Sequence, residues 1–326
     1  MTLGLAADGP DSLGFLTPVS SLYVGGTPFF LKREDLTPSG SHKHRAAAGL
    51  IARWKYTGRV RAASAAAVHY VVSSSGNAAF ALALQTVDTN VRLRVVTDTL
   101  SPSELIARLS GFCHVDVEVV DDPDASGSHV AARKRAVSRF LSENPQAKEI
   151  DQYADSSWGC GYTTLLRELE QQVPQLRAII IPVGTGATLR SAVQFNLQRG
   201  RRLKIFAVDA EGSGLNGCPI GTRLFSGYGN ARRTEWVRQA RPHVAGWLRV
   251  PDATVVRAAD RLLDCGFFLG ASSAASFAAA SLLAREDRLP HDGSTALVMP
   301  DGGEGYSSTL YSDEFRLRHG LPLSTP

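Results

Sequence analysis

Nowhere in the 326 residues does an apolar run approach the roughly 20 residues needed to cross a bilayer as a helix. Residues 1–10 lack the basic start and apolar stretch of a secretory signal. Cysteine is scarce: Cys113, Cys160, Cys218 and Cys265 stand far apart and at no metal-ligand spacing, which argues against a disulfide framework or a cysteine-held metal. An excess of one charge is missing too. Thirty-five basic residues face 31 acidic ones, and a net charge of +4 is too small and scattered for a nucleic-acid surface. The densest basic run, Arg199-Gly200-Arg201-Arg202-Leu203-Lys204, precedes an apolar stretch and reads as a solvated helix end. The expectation is a cytoplasmic protein with no membrane, nucleic-acid or metal partner.

What is present is an ordinary globular composition, 44% hydrophobic and 20% charged. The length allows a sizeable core and two lobes. Apolar runs at 29–31, 69–72, 92–97, 115–120, 178–183, 205–208 and 296–299 are predicted strands; several are rich in valine and isoleucine, as suits strands covered on both faces. Stretches at 77–85, 103–110, 128–143, 163–172, 189–198, 254–265 and 272–284 have helix-compatible spacing. The alternation implies an α/β protein with parallel sheets flanked by helices. Glu143-Asn144-Pro145-Gln146 reads as a boundary between lobes.

Lys43 lies where the polar turn Pro38-Ser39-Gly40-Ser41-His42 opens into an alanine-rich helical run. A cation at a helix start opposes the macrodipole, so this amine is easier to deprotonate, and a neutral amine is what attacks an aldehyde. A solvated surface lysine is the plainer account of Lys43 by itself. Four further turns follow predicted strands or open helices. They are Ser73-Ser74-Ser75-Gly76-Asn77, Gly184-Thr185-Gly186-Ala187-Thr188, Gly270-Ala271-Ser272-Ser273 and Asp301-Gly302-Gly303-Glu304-Gly305-Tyr306. Exposed amides and hydroxyls at such turns receive carboxylates or phosphates, although each also reads as a plain helix cap. The 184–188 turn is neither a Gly-x-Gly-x-x-Gly nor a Walker loop, so a single phosphate suits it better than a dinucleotide or ATP. An aldehyde for Lys43, a phosphate for 184–188 and a heteroatom for a serine hydroxyl together describe pyridoxal 5′-phosphate.

From Leu16-Thr17-Pro18 to Ser308-Thr309 the chain resembles the fold-type II pyridoxal-phosphate enzymes, the superfamily of cysteine synthase, the tryptophan synthase β subunit and threonine synthase. The resemblance rests on Leu31-Lys32-Arg33-Glu34-Asp35-Leu36, the turn through Lys43, Ser74-Ser75-Gly76-Asn77, Gly184-Thr185-Gly186-Ala187-Thr188 and Ser272. Asp301-Gly302-Gly303-Glu304-Gly305-Tyr306-Ser307-Ser308-Thr309 and Gln152-Tyr153 are most similar to the cysteine synthase branch. It implies a two-lobed fold in which each lobe is a mostly parallel sheet flanked by helices. Residues 1–40 and 151–326 would form the larger cofactor-binding domain, and 41–150 a smaller mobile domain. It implies Lys43 as the catalytic Schiff-base lysine. Asn77, Gly184, Thr185, Gly186, Ala187, Thr188 and Ser272 would bind the cofactor, and Ser74, Ser75, Gly76 and Gln152 the substrate carboxylate. It also implies a homodimer.

Ala78-Ala79 stand where cysteine synthases have threonine and glycine, Ala187 where glycine is usual, and His44 where aspartate is common. His42 is similar to the tryptophan synthase β subunit at that position. The implied reaction is β-replacement on L-serine or an O-activated L-serine through an aminoacrylate, with Ser272 facing an unprotonated ring nitrogen. The alternatives are a β-eliminating serine or threonine dehydratase, a threonine synthase-like enzyme, and a degenerate homologue acting as a binding scaffold. Arg223, Arg232 and Arg233 read as surface residues that could also meet an anionic co-substrate.

Overall fold

A computed structural model describes residues 14–24, 26–74, 76–99, 101, 103–122, 129–200, 202–292 and 294–324. The chain forms two compact units, one from Lys43–Gly161 and a larger one from Gly14–His42 with Tyr162–Pro326. The larger unit begins with β1 (Val19–Val24) and β2 (Thr27–Arg33). The smaller unit then runs through α1 (Lys43–Tyr56), β3 (Val68–Ser73), α2 (Asn77–Thr86), β4 (Val91–Asp98), α3 (Ser103–Ser110), β5 (Val115–Val120), α4 (Val130–Glu143) and β6 (Lys148–Glu149). Its sheet has the order β5-β4-β3-β6, with every neighbouring pair parallel.

The larger unit resumes with α5 (Tyr162–Gln172), β7 (Ala178–Pro182), α6 (Ala187–Gln198), β8 (Lys204–Ala210), α7 (Glu235–Ala240) and β9 (Gly246–Val250). It ends with α8 (Asp252–Asp264), α9 (Ala271–Arg285), β10 (Thr295–Met299) and α10 (Asp313–Arg318). Its sheet has the order β1-β2-β10-β7-β8-β9, parallel except where β1 pairs antiparallel at the edge. The central strands β7, Ala-Ile-Ile-Ile-Pro, and β10, Thr-Ala-Leu-Val-Met, are buried at every residue. That is the burial expected of parallel strands covered on both faces. Helix α9 is nearly all alanine and serine and is buried along almost its whole length. Small side chains let it lie close against β7, β8 and β10.

Three strands and two short helices fall outside the predicted elements. Strand β1, Val-Ser-Ser-Leu-Tyr-Val, is a mostly uncovered edge, and β6 is two residues long. Strand β9, Gly-Trp-Leu-Arg-Val, buries only Leu248 and Val250, so its apolar signal is short. Helices α7 and α10 are six residues each and owe their starts to caps: Thr234 accepts from the Val237 amide and Ser312 from the Phe315 amide. Among the described residues no helix is long and apolar enough to cross a membrane.

Strand β2 carries a buried charge. Lys32 is fully buried, and its ammonium donates to Glu168 Oε2 at 2.6 Å, to the Thr17 carbonyl at 2.7 Å and to Gln172 Oε1 at 2.8 Å. Three acceptors match the three donors of an ammonium. Glu168 and Gln172 lie four residues apart on α5 and so share a face. Thr17 in turn donates its hydroxyl to Glu34. The pair thereby ties β2 to α5 and to the chain entering β1. Glu168→Ala strands the ammonium and is expected to cost about 3–5 kcal/mol, with Lys32→Met in the same background recovering most of it. Urea denaturation of the three proteins checks this, and a Glu168→Ala variant as stable as the parent would refute it.

Candidate active site

In the smaller unit Lys43 is the first residue of α1, and the first turn of that helix contains no acidic residue. Its neighbour His44 is buried and lies 2.9 Å from the Gln85 side-chain amide on α2, which links the two helices. Burial, helped by the adjacent Arg45 charge, lowers the His44 pKa to about 4, so the ring is neutral at physiological pH. The first turns of α1 meet the chain at Gly161 with no room to spare. A side chain at Gly161 would collide with the Arg45 carbonyl, and one at Gly49 would come within 2.6 Å of the Gly161 nitrogen. Two glycines are therefore required where α1 begins.

Asn77 opens α2, whose N-cap is Gly76 without a side chain to cap it. Ser74 does that work from two residues further back, accepting from the Gly76 and Ala79 amides at 3.3 Å each. Its oxygen is thereby engaged by the start of the helix. Ser75 lies outside the described residues. Gln152 is buried just beyond β6, with its amide 3.5 Å from the Ser73 carbonyl. The structure thus brings Ser74, Gly76, Asn77 and Gln152 to the end of β3.

In the larger unit the turn leading to Lys43 is held at several points. Thr37 Oγ1 bonds both the carbonyl and the amide of Ser41, and Gly40 takes the left-handed conformation at φ +75°. Ser41 forms a β-bridge with Asp301, and the His42 amide donates to the Pro300 carbonyl at 2.7 Å. The His42 ring stacks on Tyr162 with centroids 5.4 Å apart. Burial pushes the Tyr162 hydroxyl above its usual range, against the opposing pull of the Thr188 hydroxyl beside it. Tyr162 thus stacks on the turn before Lys43, and its buried hydroxyl has no hydrogen-bond partner among the described residues.

That loop closes on the N-terminus of α6. Its cap residue, Gly186, has φ +91° and no side chain to occupy the helix end. A Cβ there would come within 2.7 Å of Val237 and 3.2 Å of Thr234 Oγ1, which also donates to the Thr185 carbonyl. Gly184 lies against the 227 backbone, where a Cβ would stand 3.3 Å from the Gly227 carbonyl. Ser272, in the first turn of α9, donates to Asp301 Oδ1 at 3.0 Å, and Tyr306 donates to Asp301 Oδ2 at 3.0 Å. The Tyr306 hydroxyl is pushed well above its usual range, first by burial and then by the Asp301 charge. Gly227 packs over the same group, and a side chain there would reach within 2.8 Å of the Tyr306 hydroxyl.

These residues fit pyridoxal phosphate unit by unit. Lys43 supplies a primary amine, and the α6 terminus offers amides in a glycine turn that no side chain caps. Ser39 and Ser41 bring buried hydroxyls that have no protein partner among the described residues. Sequence reasoning names the segment around Asp301 without giving the carboxylate or Tyr306 a task, and it misses Gly227. Only the packing of α9 against the end of β10 assembles them. Arg223 and Arg233 brace their own loop, donating to the Tyr228 and Leu215 carbonyls, and Arg232 is exposed.

Over residues 16–301 the chain matches the family described as pyridoxal-phosphate dependent enzyme. It is 31% identical, over 90% of both chains, to an N-(2-amino-2-carboxyethyl)-L-glutamate synthase of Ralstonia nicotianae. In fold it is similar to the O-acetylserine dependent cystathionine beta-synthase of Helicobacter pylori. That match has a TM-score of 0.78 and 23% identity, and covers 94% of this chain and 99% of the other. The structure of an O-ureido-L-serine synthase matches with a TM-score of 0.79 and 20% identity, over 93% and 96% of the two chains.

Because His44 is held neutral in the fold, its contribution has a definite pH dependence. It is fully compatible with folding above pH about 6.5, and destabilises as pH falls towards its folded value of about 4, because the unfolded chain protonates first. His44→Gln should flatten that limb of the stability–pH curve, while His114, also held low by burial, remains in both proteins. An unchanged limb in denaturation series across this range would count against a neutral His44.

Proposed function

The chain belongs to the pyridoxal-phosphate dependent enzymes, and on that premise we propose that it catalyses β-replacement on L-serine or an O-activated L-serine, with an amino acid's α-amino group as nucleophile. The observation that carries the reading is the placing of Lys43, Asn77, Ala187 and Ser272 in the first turns of four helices. Helix starts point amides and partial positive charge at anions, which suits a phosphate and a substrate carboxylate. The Ralstonia relative supports the nucleophile, since its named product joins a 2-amino-2-carboxyethyl group to the nitrogen of L-glutamate. In such a reaction the β-substituent of the serine leaves with its electron pair, the amine forms the new Cβ–N bond, and the amine's proton is lost.

Pyridoxal phosphate, when bound, supplies an electron sink for charge developing at the substrate α-carbon. Lys43 would hold the cofactor through its aldehyde carbon, and its free amine would take the substrate's α-proton. The 184–188 loop would hold the phosphate, Asn77 the ring hydroxyl and Ser272 the ring nitrogen. Ser74, Ser75, Gly76 and Gln152 would take the substrate carboxylate. A homodimer belongs to the same reading, supported by the exposure of Leu16, Tyr23 and Leu36 on the larger unit; a monomeric mass in solution would exclude it.

The test loads the purified protein with pyridoxal phosphate and supplies O-acetyl-L-serine or O-phospho-L-serine, with and without L-glutamate. N-(2-amino-2-carboxyethyl)-L-glutamate, detected by mass only when glutamate is present, is the expected product. Pyruvate release regardless of glutamate would instead assign the chain to the eliminating lyases. Lys43→Ala is expected to slow turnover by at least about 10²–10⁴-fold, the range of a lost general base, and a variant within a few-fold of the parent would remove Lys43 from its role.

A further inference from the structure

We propose that a cationic cavity in the larger unit, at the opposite end of β7 from the 184–188 loop, binds a condensed phosphate: a chain of two or more phosphoryl groups, free or carried by a nucleotide. The cavity has a volume of about 290 Å³, and Arg177, Arg202, Lys204 and Arg288 line it against one acidic side chain, Asp287. That volume is close to the lower bound for small-molecule pockets, roughly 300 Å³. A single phosphate monoester carries about −1.5 to −2 charges at pH 7, whereas four cations face this cavity. Guanidinium forks take phosphoryl oxygens in pairs, and lysine adds a point charge.

The basic run 199–204 reads in the sequence as a solvated helix end, and the structure divides it. Arg199 pairs with Glu170 and lies over the Phe195 ring, while Arg202 and Lys204 face the cavity. Arg177 immediately precedes β7, and Lys204 opens β8. The 184–188 loop follows the other end of β7, whose five residues at about 3.3 Å each put roughly 16 Å between the two places. The cavity is therefore separate from the turns around Lys43, Ser272 and the 184–188 loop.

The backbone beneath these cations is fixed. The Arg177 amide donates to the Ser294 carbonyl and the Lys204 amide to the Arg177 carbonyl, each at 2.8 Å. Buried Asn196 clamps Leu203, giving its amide hydrogen to the Leu203 carbonyl at 2.9 Å and accepting from the Leu203 amide at 2.8 Å. Past α9 the chain turns through Asp287 at φ +56°, with the Asp287 amide on the Ala284 carbonyl and the Arg288 amide on the Leu283 carbonyl. This is a Schellman stop, in which aspartate stands where glycine would be unstrained. It sets Arg288 over the Phe206 ring, 5.8 Å from its centroid. The charges are also available. Arg202 and Lys204 make no ion pair among the described residues. Arg177 has Asp292 at 3.4 Å and Arg288 has Glu286 at 3.0 Å, both exposed pairs of little strength that a ligand can replace. The Asp287 carboxylate is turned to His291, 2.6 Å away.

Calorimetric titration of the holoenzyme, saturated with pyridoxal phosphate, with pyrophosphate and separately with ATP tests the site. One saturable site per chain is expected for pyrophosphate, weakened at least about tenfold when Arg202→Ser and Lys204→Ser are combined. A control pair, Arg135→Ser with Arg257→Ser, removes the same charge from the surface elsewhere and should leave the affinity nearly unchanged. ATP binding as tightly as pyrophosphate, with the same loss in the double variant, supports the site with a nucleotide as the source. Binding of pyrophosphate without ATP supports it with a free condensed phosphate. No saturable binding of either overturns the proposal, as does an equal loss in both variant pairs, which would show attraction to net charge alone. Binding displaced by O-phospho-L-serine would put the anion in the active site and overturn it as well.

Discussion

Asp301 is the point at which three segments of the larger unit are held together. Its backbone bridges Ser41, two residues before Lys43, and its carbonyl receives the Gly270 amide and the Ser273 hydroxyl at the start of α9. Its carboxylate receives Ser272 and Tyr306. One residue thus joins the end of β10, the first turn of α9 and the segment entering α1. A buried carboxylate is costly unless it is hydrogen-bonded, and these bonds offset that cost while fixing three chain segments relative to one another.

A second constraint is closeness. Where a helix must begin hard against another chain segment, glycine is present because any Cβ would collide. Gly161 under the Arg45 carbonyl, Gly186 against Val237 and Gly270 against the Asp301 carboxylate are three instances. Gly161 touches Arg45, two residues after Lys43; Gly186 lies in the 184–188 loop, and Gly270 two residues before Ser272. Glycine in these turns therefore has a packing role beside any role in exposing amides to a ligand, and the two demands act at the same positions.

The buried charges differ in kind. Lys32 with Glu168 is saturated by neighbours inside the larger unit and holds β2 to α5. His44 avoids the cost of a buried charge by remaining neutral, since desolvation lowers its pKa to about 4. A neutral ring bonded to Gln85 joins α1 to α2 without placing a charge beside Lys43. The two solutions follow from what surrounds each group: three acceptors for Lys32, one amide for His44.

Much was legible in the chain itself. The buried strand at 178–182 announced itself as an unbroken apolar run rich in isoleucine, because a strand covered on both faces has no polar side to interrupt it. The turns after the strands were legible because glycine and hydroxyl residues concentrate there, and the motif through Lys43 because its order along the chain matches that of a known family. Strands β1 and β9 were not, since an edge strand buries too little to carry a pattern, and α7 and α10 are too short for one. The sequence by itself determined the α/β alternation, the lysine at a helix start and the glycine- and hydroxyl-rich turns, all of which depend on neighbours a few residues apart. Only the tertiary structure decided that Ser74 caps α2, that Tyr162 stacks on His42, and that the Ser272 hydroxyl bonds Asp301. These are contacts between residues far apart in the chain or set by one local geometry among several, and no spacing rule encodes which hydroxyl gives and which receives.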